Sequence, residues 1–364
     1  MMTVLLANSV TVGIFTGLTV MLLVAEKYLA AYGQCTVSVN KGSVVFEQTG
    51  GVTLLSALYA NKIFIPSACG GKGSCGYCKV AVLGGGGPVL PTETPYLSRR
   101  EIRAGMRLAC QVKIKENIEL RLPEELLSIK EYRARVARVR ELTHDIKEIN
   151  LELVDPSEIS QRPGQYIQIL APTEDGPVFR AYSISSPAYD RNLVQLIVRL
   201  VPGGIASTYL HGLKENDEVT FTGPYGDFRL SEDPETEIVC VGGGCGMAPI
   251  ANIVRSILRR WPNRTCYLFF GCRTTNDVFY LDDFKALAKE HPNLKVIYAL
   301  SDPLGPEERW DGDTGFIHLS VDKYLAAHSR HQAFLCGPPP MIEAVTKILD
   351  GRGFRKEEIF YDAF

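Results

Sequence analysis

Apolar and polar positions follow four different rhythms along this chain. The first barely alternates. From Val10 to Ala25 the sequence is almost wholly apolar, interrupted only by small residues such as Gly13 and Gly17, and the first charged residue is Glu26. A membrane span takes about 20 apolar residues, so residues 1–32 are predicted to form a single transmembrane anchor. A cleaved signal peptide is the alternative. It is disfavoured because no Lys or Arg precedes the run and the run outlasts a typical signal core. Lys27, just beyond it, places the rest of the chain on the cytoplasmic side.

The second rhythm, residues 33–125, starts with period two. Cys35, Val37 and Val39 alternate with polar residues, Val44-Val45-Phe46 follows the turn residues Lys41-Gly42, and Thr53 to Leu58 reads as a short helix. Strand, hairpin, helix and then a cysteine-rich loop is the order of a plant-type ferredoxin. The third rhythm, residues 126–232, is a series of short β runs at 132–139, 148–154, 165–170, 194–201 and 218–222. Turn signals such as Pro163-Gly164, Pro202-Gly203-Gly204 and Gly223-Pro224 separate them, which predicts a small antiparallel barrel. The fourth, residues 233–364, alternates compact apolar runs (237–241, 266–270, 294–300, 332–336) with helical stretches. Ile250, Ile253, Val254, Ile257 and Leu258 fall on one helical face. Buried parallel strands between amphipathic helices predict a doubly wound α/β domain. The fold class is therefore multidomain: a transmembrane helix, an α+β ferredoxin domain, a β-barrel and a nucleotide-binding α/β domain.

Composition narrows the function classes. The chain has 364 residues, 46% hydrophobic and 22% charged, so it has ample material for several cores. A formal net charge of −2 with no basic stripe leaves nothing to neutralise phosphates, which excludes nucleic acid as a partner. Ten cysteines in a chain of this length indicate a reducing compartment rather than a disulfide scaffold.

Four of those cysteines carry the strongest chemical signal. Cys69, Cys75 and Cys78 have the spacing C-x5-C-x2-C, and Cys110 follows at a distance. A [2Fe–2S] cluster needs four thiolates on two irons, three from one loop and one from elsewhere. The intervening glycines let the backbone wrap the cluster and turn N–H groups toward its sulfides. A zinc site usually takes two C-x2–4-C pairs, and only one such pair exists here. The remaining alternative is four buried thiols.

Three further groups of residues suggest a flavin and a nicotinamide nucleotide. Arg180, Tyr182 and Ser183 lie in a β run: the Arg can bind a phosphate, the Tyr on the same face can lie along a flavin ring, and the Ser can reach a ring nitrogen. Alone this string is weak. It gains from Pro202-Gly203-Gly204-Ile205-Ala206-Ser207, a turn able to offer N–H groups and the Ser207 hydroxyl to a pyrophosphate. Gly243, Gly244 and Gly246 sit in Val241-Gly242-Gly243-Gly244-Cys245-Gly246-Met247-Ala248-Pro249, between a buried strand and a helix, where N–H groups can face a phosphate. Cys336 and Gly337 end the last clear strand, on the edge where open α/β sheets bind ligands. A nicotinamide ring can pack on that thiol, although a merely buried Cys is as good a reading without its neighbours. The tail, Phe360-Tyr361-Asp362-Ala363-Phe364, is too aromatic for a frayed end, and an extended tail puts Asp362 and Phe364 on one face.

In order and spacing these residues resemble the ferredoxin–NADP⁺ reductase superfamily fused to an N-terminal plant-type ferredoxin. More narrowly, the chain is similar to the family of F subunits of Na⁺-translocating NADH:quinone oxidoreductases. The matches include Ser67 to Cys78, Leu90-Pro91-Thr92-Glu93, Leu108-Ala109-Cys110-Gln111-Val112, Arg180 to Ser183, Gly242 to Pro249, Thr314-Gly315-Phe316-Ile317-His318 and Cys336 to Met341. The resemblance implies that Cys69, Cys75, Cys78 and Cys110 ligate the cluster. It implies that Arg180, Tyr182 and Ser183 hold FAD, that Ser207 meets its pyrophosphate, and that Gly243, Gly244, Gly246, Gly337 and Cys336 line the NADH site. Ser183, Cys336, Asp362 and the aromatic lid Phe364 would be catalytic. It also implies NADH as donor; the residues alone leave this open, since Asp277 would repel a 2′-phosphate and Arg273 would attract one. Electrons would pass from NADH to FAD to the cluster, then to other subunits of an inner-membrane redox complex and, indirectly, to quinone.

The sequence departs from that family in three places. The insert usual ahead of Arg180 is missing, Cys245 replaces a usual Ala or Thr, and the tail reads Tyr-Asp-Ala-Phe. Two rival readings remain: the reductase component of an oxygenase such as a di-iron hydroxylase, and a non-catalytic flavin and Fe–S redox sensor.

Overall fold

A computed structural model describes residues 12–21, 32–174, 177–226, 228–302, 304–305, 309–326 and 330–363. Residues 12–21 are helical. Among the described residues no helix is long and apolar enough to cross a membrane; most of the expected anchor, and the expected lid Phe364, lie outside them. The chain forms two units, up to Ser128 and from Ile129.

In the first unit, period-two patterning becomes a sheet. β1 (Gln34–Val39) buries Cys35, Val37 and Val39, and pairs antiparallel with β2 (Val44–Thr49). α1 (Leu54–Ala60) starts one residue later than the pattern suggests, because the Thr53 hydroxyl accepts from the Ser56 N–H and caps it. Its apolar face (Leu54, Ala57, Leu58) seals the core. β3 (Lys79–Gly84), β4 (Met106–Leu108) and β5 (Ile118–Arg121) complete a sheet of order β2-β1-β5-β3-β4, in which only β1–β5 is parallel.

The second unit has two sheets. β6 (Lys130–Glu141), β7 (Ile146–Asp155), β8 (Tyr166–Ala171), β9 (Val178–Ser183), β10 (Leu193–Arg199) and β11 (Glu218–Tyr225) form an antiparallel sheet of order β10-β7-β6-β11-β8-β9. An Ile184–Leu196 bridge joins its two ends, closing the barrel. Helix α2 (Ile205–Gly212) follows β10. The second sheet is wholly parallel. It holds β12 (Glu237–Gly243), β13 (Cys266–Cys272), β14 (Leu294–Leu300), β15 (Asp313–Thr314), β16 (His331–Gly337) and β17 (Ile359–Ala363) in the order β15-β14-β13-β12-β16-β17. Helices α3 (Met247–Arg260), α4 (Leu281–Glu290), α5 (Ile317–Tyr324) and α6 (Pro339–Gly351) connect these strands. Chain order reverses at β12 and β16, so the crevice beyond their carboxyl ends is where a ligand is accommodated.

Helix α3 joins the two halves of this unit. The apolar face foreseen from its periodicity is buried, but so are Asn252 and Ser256. Asn252 donates to Gln161 Oε1 at 3.0 Å, and the Ser256 hydroxyl accepts from the Ala188 N–H at 3.0 Å. Arg255 stacks over Tyr280, 5.1 Å from the ring centre, and the Tyr280 hydroxyl donates to the buried carboxylate of Glu148 on β7. Buried polar groups of both halves thus satisfy one another.

One buried ion pair organises the first unit. Glu93 is fully buried and accepts from Arg107 Nε at 3.0 Å, from Nη2 at 2.7 Å and from the N–H groups of Leu90 and Leu108. Arg107 spends its other donors on the carbonyls of Gly86, Gly87 and Pro88. Burial opposes the Glu93 charge, but these donors outweigh it and hold the carboxyl below the usual range. The pair therefore contributes fully above the unfolded carboxyl value of about 4.3 and loses its effect as pH falls through the lower folded value. Replacing Arg107 with Met strands a buried carboxylate, which costs about 3–5 kcal/mol. Denaturant unfolding of Arg107→Met at pH 7 is expected to show a loss of that size in the transition of the first unit. An unchanged midpoint would contradict this role for the pair.

Candidate functional site

The four cysteines converge through a local loop and a returning strand. Cys78 directly precedes β3 and Cys110 lies two residues beyond β4. The ladder of these strands pairs Lys79 with Leu108, and the Ala109 N–H donates to the Cys78 carbonyl at 2.8 Å. The thiols meet as two pairs, Cys69 with Cys75 and Cys78 with Cys110. Among the described residues no group of three or more His, Cys, Asp or Glu side chains is gathered as a metal-ion site. Two bridged irons need two thiolates each. The donor set therefore fits a binuclear cluster.

In each pair one thiol is eased toward the thiolate and its partner is held back: Cys69 and Cys110 are lowered, while Cys75 and Cys78 are raised, Cys75 mainly by burial. Burial opposes ionisation of Cys69, but N–H groups of Ser74 and Lys72 and the side chains of Cys75 and Ser74 lower its thiol. In the second pair, the hydrogen bond from Cys78 lowers Cys110 against its burial, helped by Gln111 and the Gly73 N–H, while the same bond and burial push Cys78 up. Glycine is required at two turns of the loop. Gly73 and Gly76 both have a φ of +72°, and a Cβ would lie 2.6 Å from Gln111 Nε2 and 2.9 Å from Tyr96 Cβ respectively.

In the second unit a cavity of about 400 Å³ opens over the carboxyl ends of the parallel strands. Gly243 and Gly244 line it at the end of β12, Cys272 and Arg273 at the end of β13, Ser301 after β14, and Pro338 and Met341 after β16. Phe316 and His318, whose rings stack at 5.9 Å, lie on its wall at the start of α5. Gly246, Cys336 and Gly337 do not line the cavity: a Cβ at Gly246 would lie 2.1 Å from the Cys336 carbonyl oxygen, so the glycine turn packs directly on β16. Cys336 pairs in register with Asp362 of β17. Burial first, then the nearby Asp362 and Cys245, pushes the Cys336 thiol far up, so it stays protonated; burial also raises Asp362.

Arg180, Tyr182 and Ser183 all lie on β9, each half-buried. Arg180 and Tyr182 are two residues apart and share a face. Burial pushes the Tyr182 hydroxyl up to about 12; Arg180 counteracts and Cys245 adds to the rise. Tyr182 is thus near the glycine turn across the two halves of the unit. Ser207 is placed differently. Its hydroxyl accepts from the Val201 N–H at 3.1 Å and lies 3.2 Å from the Gly204 carbonyl, engaged inside its own turn.

Arg199, at the end of β10, was not singled out by the sequence. Its guanidinium lies 3.1 Å from Asp145, lines the cavity and covers Gly244, where a Cβ would be 2.4 Å from Nη2. The Arg199 backbone N–H also reaches Cys245, whose thiol burial nevertheless lifts to about 11. The two residues weighed for nucleotide choice both have protein partners: Arg273 pairs with Asp302 at 3.2 Å, and Asp277 accepts from the Thr274 N–H and hydroxyl at 2.9 Å.

Comparison with known proteins agrees with this arrangement. Residues 37–115 match the 2Fe-2S iron-sulfur cluster binding domain, 133–230 the oxidoreductase FAD-binding domain and 240–347 the oxidoreductase NAD-binding domain. The chain is similar to a crystal structure of an Amycolatopsis cytochrome P450 reductase (TM-score 0.72, 31% identity, 91% of this chain and 98% of that one). It is also similar to the ferredoxin reductase in carbazole 1,9a-dioxygenase (TM-score 0.68, 29% identity, the same coverage). The F subunit of the Na(+)-translocating NADH-quinone reductase of Neisseria meningitidis is 37% identical over 95% of this chain and 96% of its own length. That of Actinobacillus succinogenes is 37% identical over 97% and 98%. With relatives this similar along almost its entire length, the chain belongs to the family of Na(+)-translocating NADH-quinone reductase F subunits.

Proposed function

We propose that this chain is the electron-input subunit of a membrane NADH:quinone reductase, taking electrons from NADH and delivering them to a membrane partner and finally to quinone. The observation that carries the reading is the union of two paired-cysteine thiols in one unit with a strand-end nucleotide cavity beside a flavin-type barrel in the other. When bound, FAD would accept one hydride, an electron pair, and release the electrons singly, and a [2Fe–2S] cluster would carry them one at a time.

The residues divide that work. Cys69 with Cys75, and Cys78 with Cys110, would each hold one iron. Arg180 would neutralise flavin phosphate, Tyr182 would lie along the ring and Ser183 would bind a ring atom. The turn carrying Ser207 would place backbone N–H groups at the pyrophosphate, since its hydroxyl is engaged. Gly243 and Gly244 would let the nucleotide approach the backbone, and Arg199 would meet its charge. Gly246 would act indirectly, by letting the glycine turn seat against Cys336. Cys336, buried beneath that turn, would back the nicotinamide site with an uncharged thiol, and Asp362 pairs with it in register. Phe364 would close over the flavin. Residues 1–32 would anchor the chain in the inner membrane by one span, with the catalytic units in the cytoplasm. The domains would run 33–125, 126–232 and 233–364.

A second reading, an oxygenase reductase, is favoured by two observations. Only residues 172–177 separate β8 from β9, without the insert usual in the pump subunit, and two similar solved structures are a cytochrome P450 reductase and the ferredoxin reductase in carbazole 1,9a-dioxygenase. NADH oxidation by membranes holding the full chain separates the two. Quinone reduction that requires the native membrane neighbours and rises with Na⁺ supports the first reading. Rapid NADH-to-ferricyanide turnover with no quinone activity under any condition moves the assignment to the second.

Two variants test the residue roles. Gly246→Ala forces the glycine turn off β16, and NADH-driven flavin reduction is expected to slow at least about tenfold, some 1.4 kcal/mol of barrier. FAD content and dithionite reduction should stay normal; an unchanged rate would remove Gly246 from the account. Cys110→Ser is expected to lose the iron–sulfur absorbance while keeping NADH-to-ferricyanide turnover. Retained cluster and full iron content would rule Cys110 out as a ligand.

A further inference from the structure

Hydrogen bonds to its sulfurs help set the potential of an iron–sulfur cluster. Most such donors in the first unit are backbone N–H groups. Cys110 has a side-chain donor as well: Gln111 Nε2 lies 3.6 Å from Cys110 Sγ and 3.5 Å from the Cys110 carbonyl oxygen. The amide is held in that sense. Thr92 Oγ1 donates to Gln111 Oε1 at 2.9 Å, which turns the oxygen toward Thr92 and the NH2 toward the sulfur. Space for the side chain comes from Gly73, where a Cβ would lie 2.6 Å from Nε2. Thr92 in turn precedes Glu93, which the buried Arg107 pair fixes in place.

We propose that Gln111, oriented by Thr92, is a potential-setting donor that makes the cluster held by Cys110 easier to reduce. The inference rests on the cluster reading above. A donor aimed at a thiolate draws electron density from the sulfur. It therefore stabilises the reduced cluster, which carries one more negative charge, more than the oxidised one. The gain falls on the step that moves an electron from flavin to cluster. Gln111 touches a cluster ligand; Thr92 is a positioning residue, acting only through the amide it orients.

Redox titration of the full chain, followed by electron paramagnetic resonance of the reduced cluster at fixed pH, tests this. Gln111→Leu removes the donor, Thr92→Val leaves it unoriented, and Gln111→Glu replaces it with a negative acceptor. The midpoint is expected to move negative in all three, least in Thr92→Val and most in Gln111→Glu, with iron content and visible spectrum unchanged. Wild-type midpoints in Gln111→Leu and Thr92→Val would overturn the proposal. Should Gln111→Leu fail to load iron, Thr92→Val decides, because it leaves the Gln111 side chain itself intact. A wild-type chain with no such resonance after chemical reduction would instead overturn the cluster reading, a failure distinct from an unmoved midpoint.

Discussion

The iron–sulfur unit depends on bringing one distant thiol back to a loop that already holds three. Thirty-two residues separate Cys78 from Cys110 along the chain, and much of that path is irregular. The antiparallel β3–β4 ladder makes the return, and the buried Glu93–Arg107 pair holds it. Arg107 gathers three consecutive carbonyls of the Gly-rich loop, while Glu93 holds the N–H of Leu108, two residues from Cys110. An exposed ion pair would contribute little to such a task. A buried one cannot lose a partner without leaving a stranded charge, and so it enforces a single arrangement of this loop.

The nucleotide half meets a different requirement, close backbone approach. Parallel strands end together at β12 and β16, and the glycine turn fits only because Gly246 has no side chain to strike the Cys336 carbonyl. Arg199 then reaches from the barrel over Gly244. The cavity is therefore walled by both halves of one unit, and Glu148, Tyr280, Arg255, Gln161 and Asn252 hold those halves together. Ring alignment for hydride transfer depends on that rigidity, since small misplacements at a reacting centre are costly.

Local patterns were legible in the sequence, and long-range partnerships were not. Period-two alternation marked β1, and period 3.6 marked the buried face of α3, because each pattern reports a single element against one core. Cysteine spacing pointed to the cluster because its ligand count and spacing are chemical constraints. No local signal marks Glu93 as the partner of Arg107, Glu148 as that of Tyr280, or Arg199 as a cavity residue; the separations run from 14 to 132 residues and only the tertiary fold joins them. Ser207 shows a competition that sequence cannot resolve, because a serine hydroxyl beside a turn can serve its own backbone instead of a ligand. Gln111 follows a cysteine without comment in the sequence, and Thr92 gives its amide a direction.

The central claim is that one chain carries electrons from NADH through flavin to an iron–sulfur cluster. Anaerobic mixing of the cofactor-loaded protein with NADH, with flavin absorbance and cluster resonance followed in time, tests it most directly. The account predicts flavin bleaching first and then a reduced-cluster signal that grows as flavin is partly reoxidised. Flavin that bleaches while a dithionite-reducible cluster stays oxidised would contradict it.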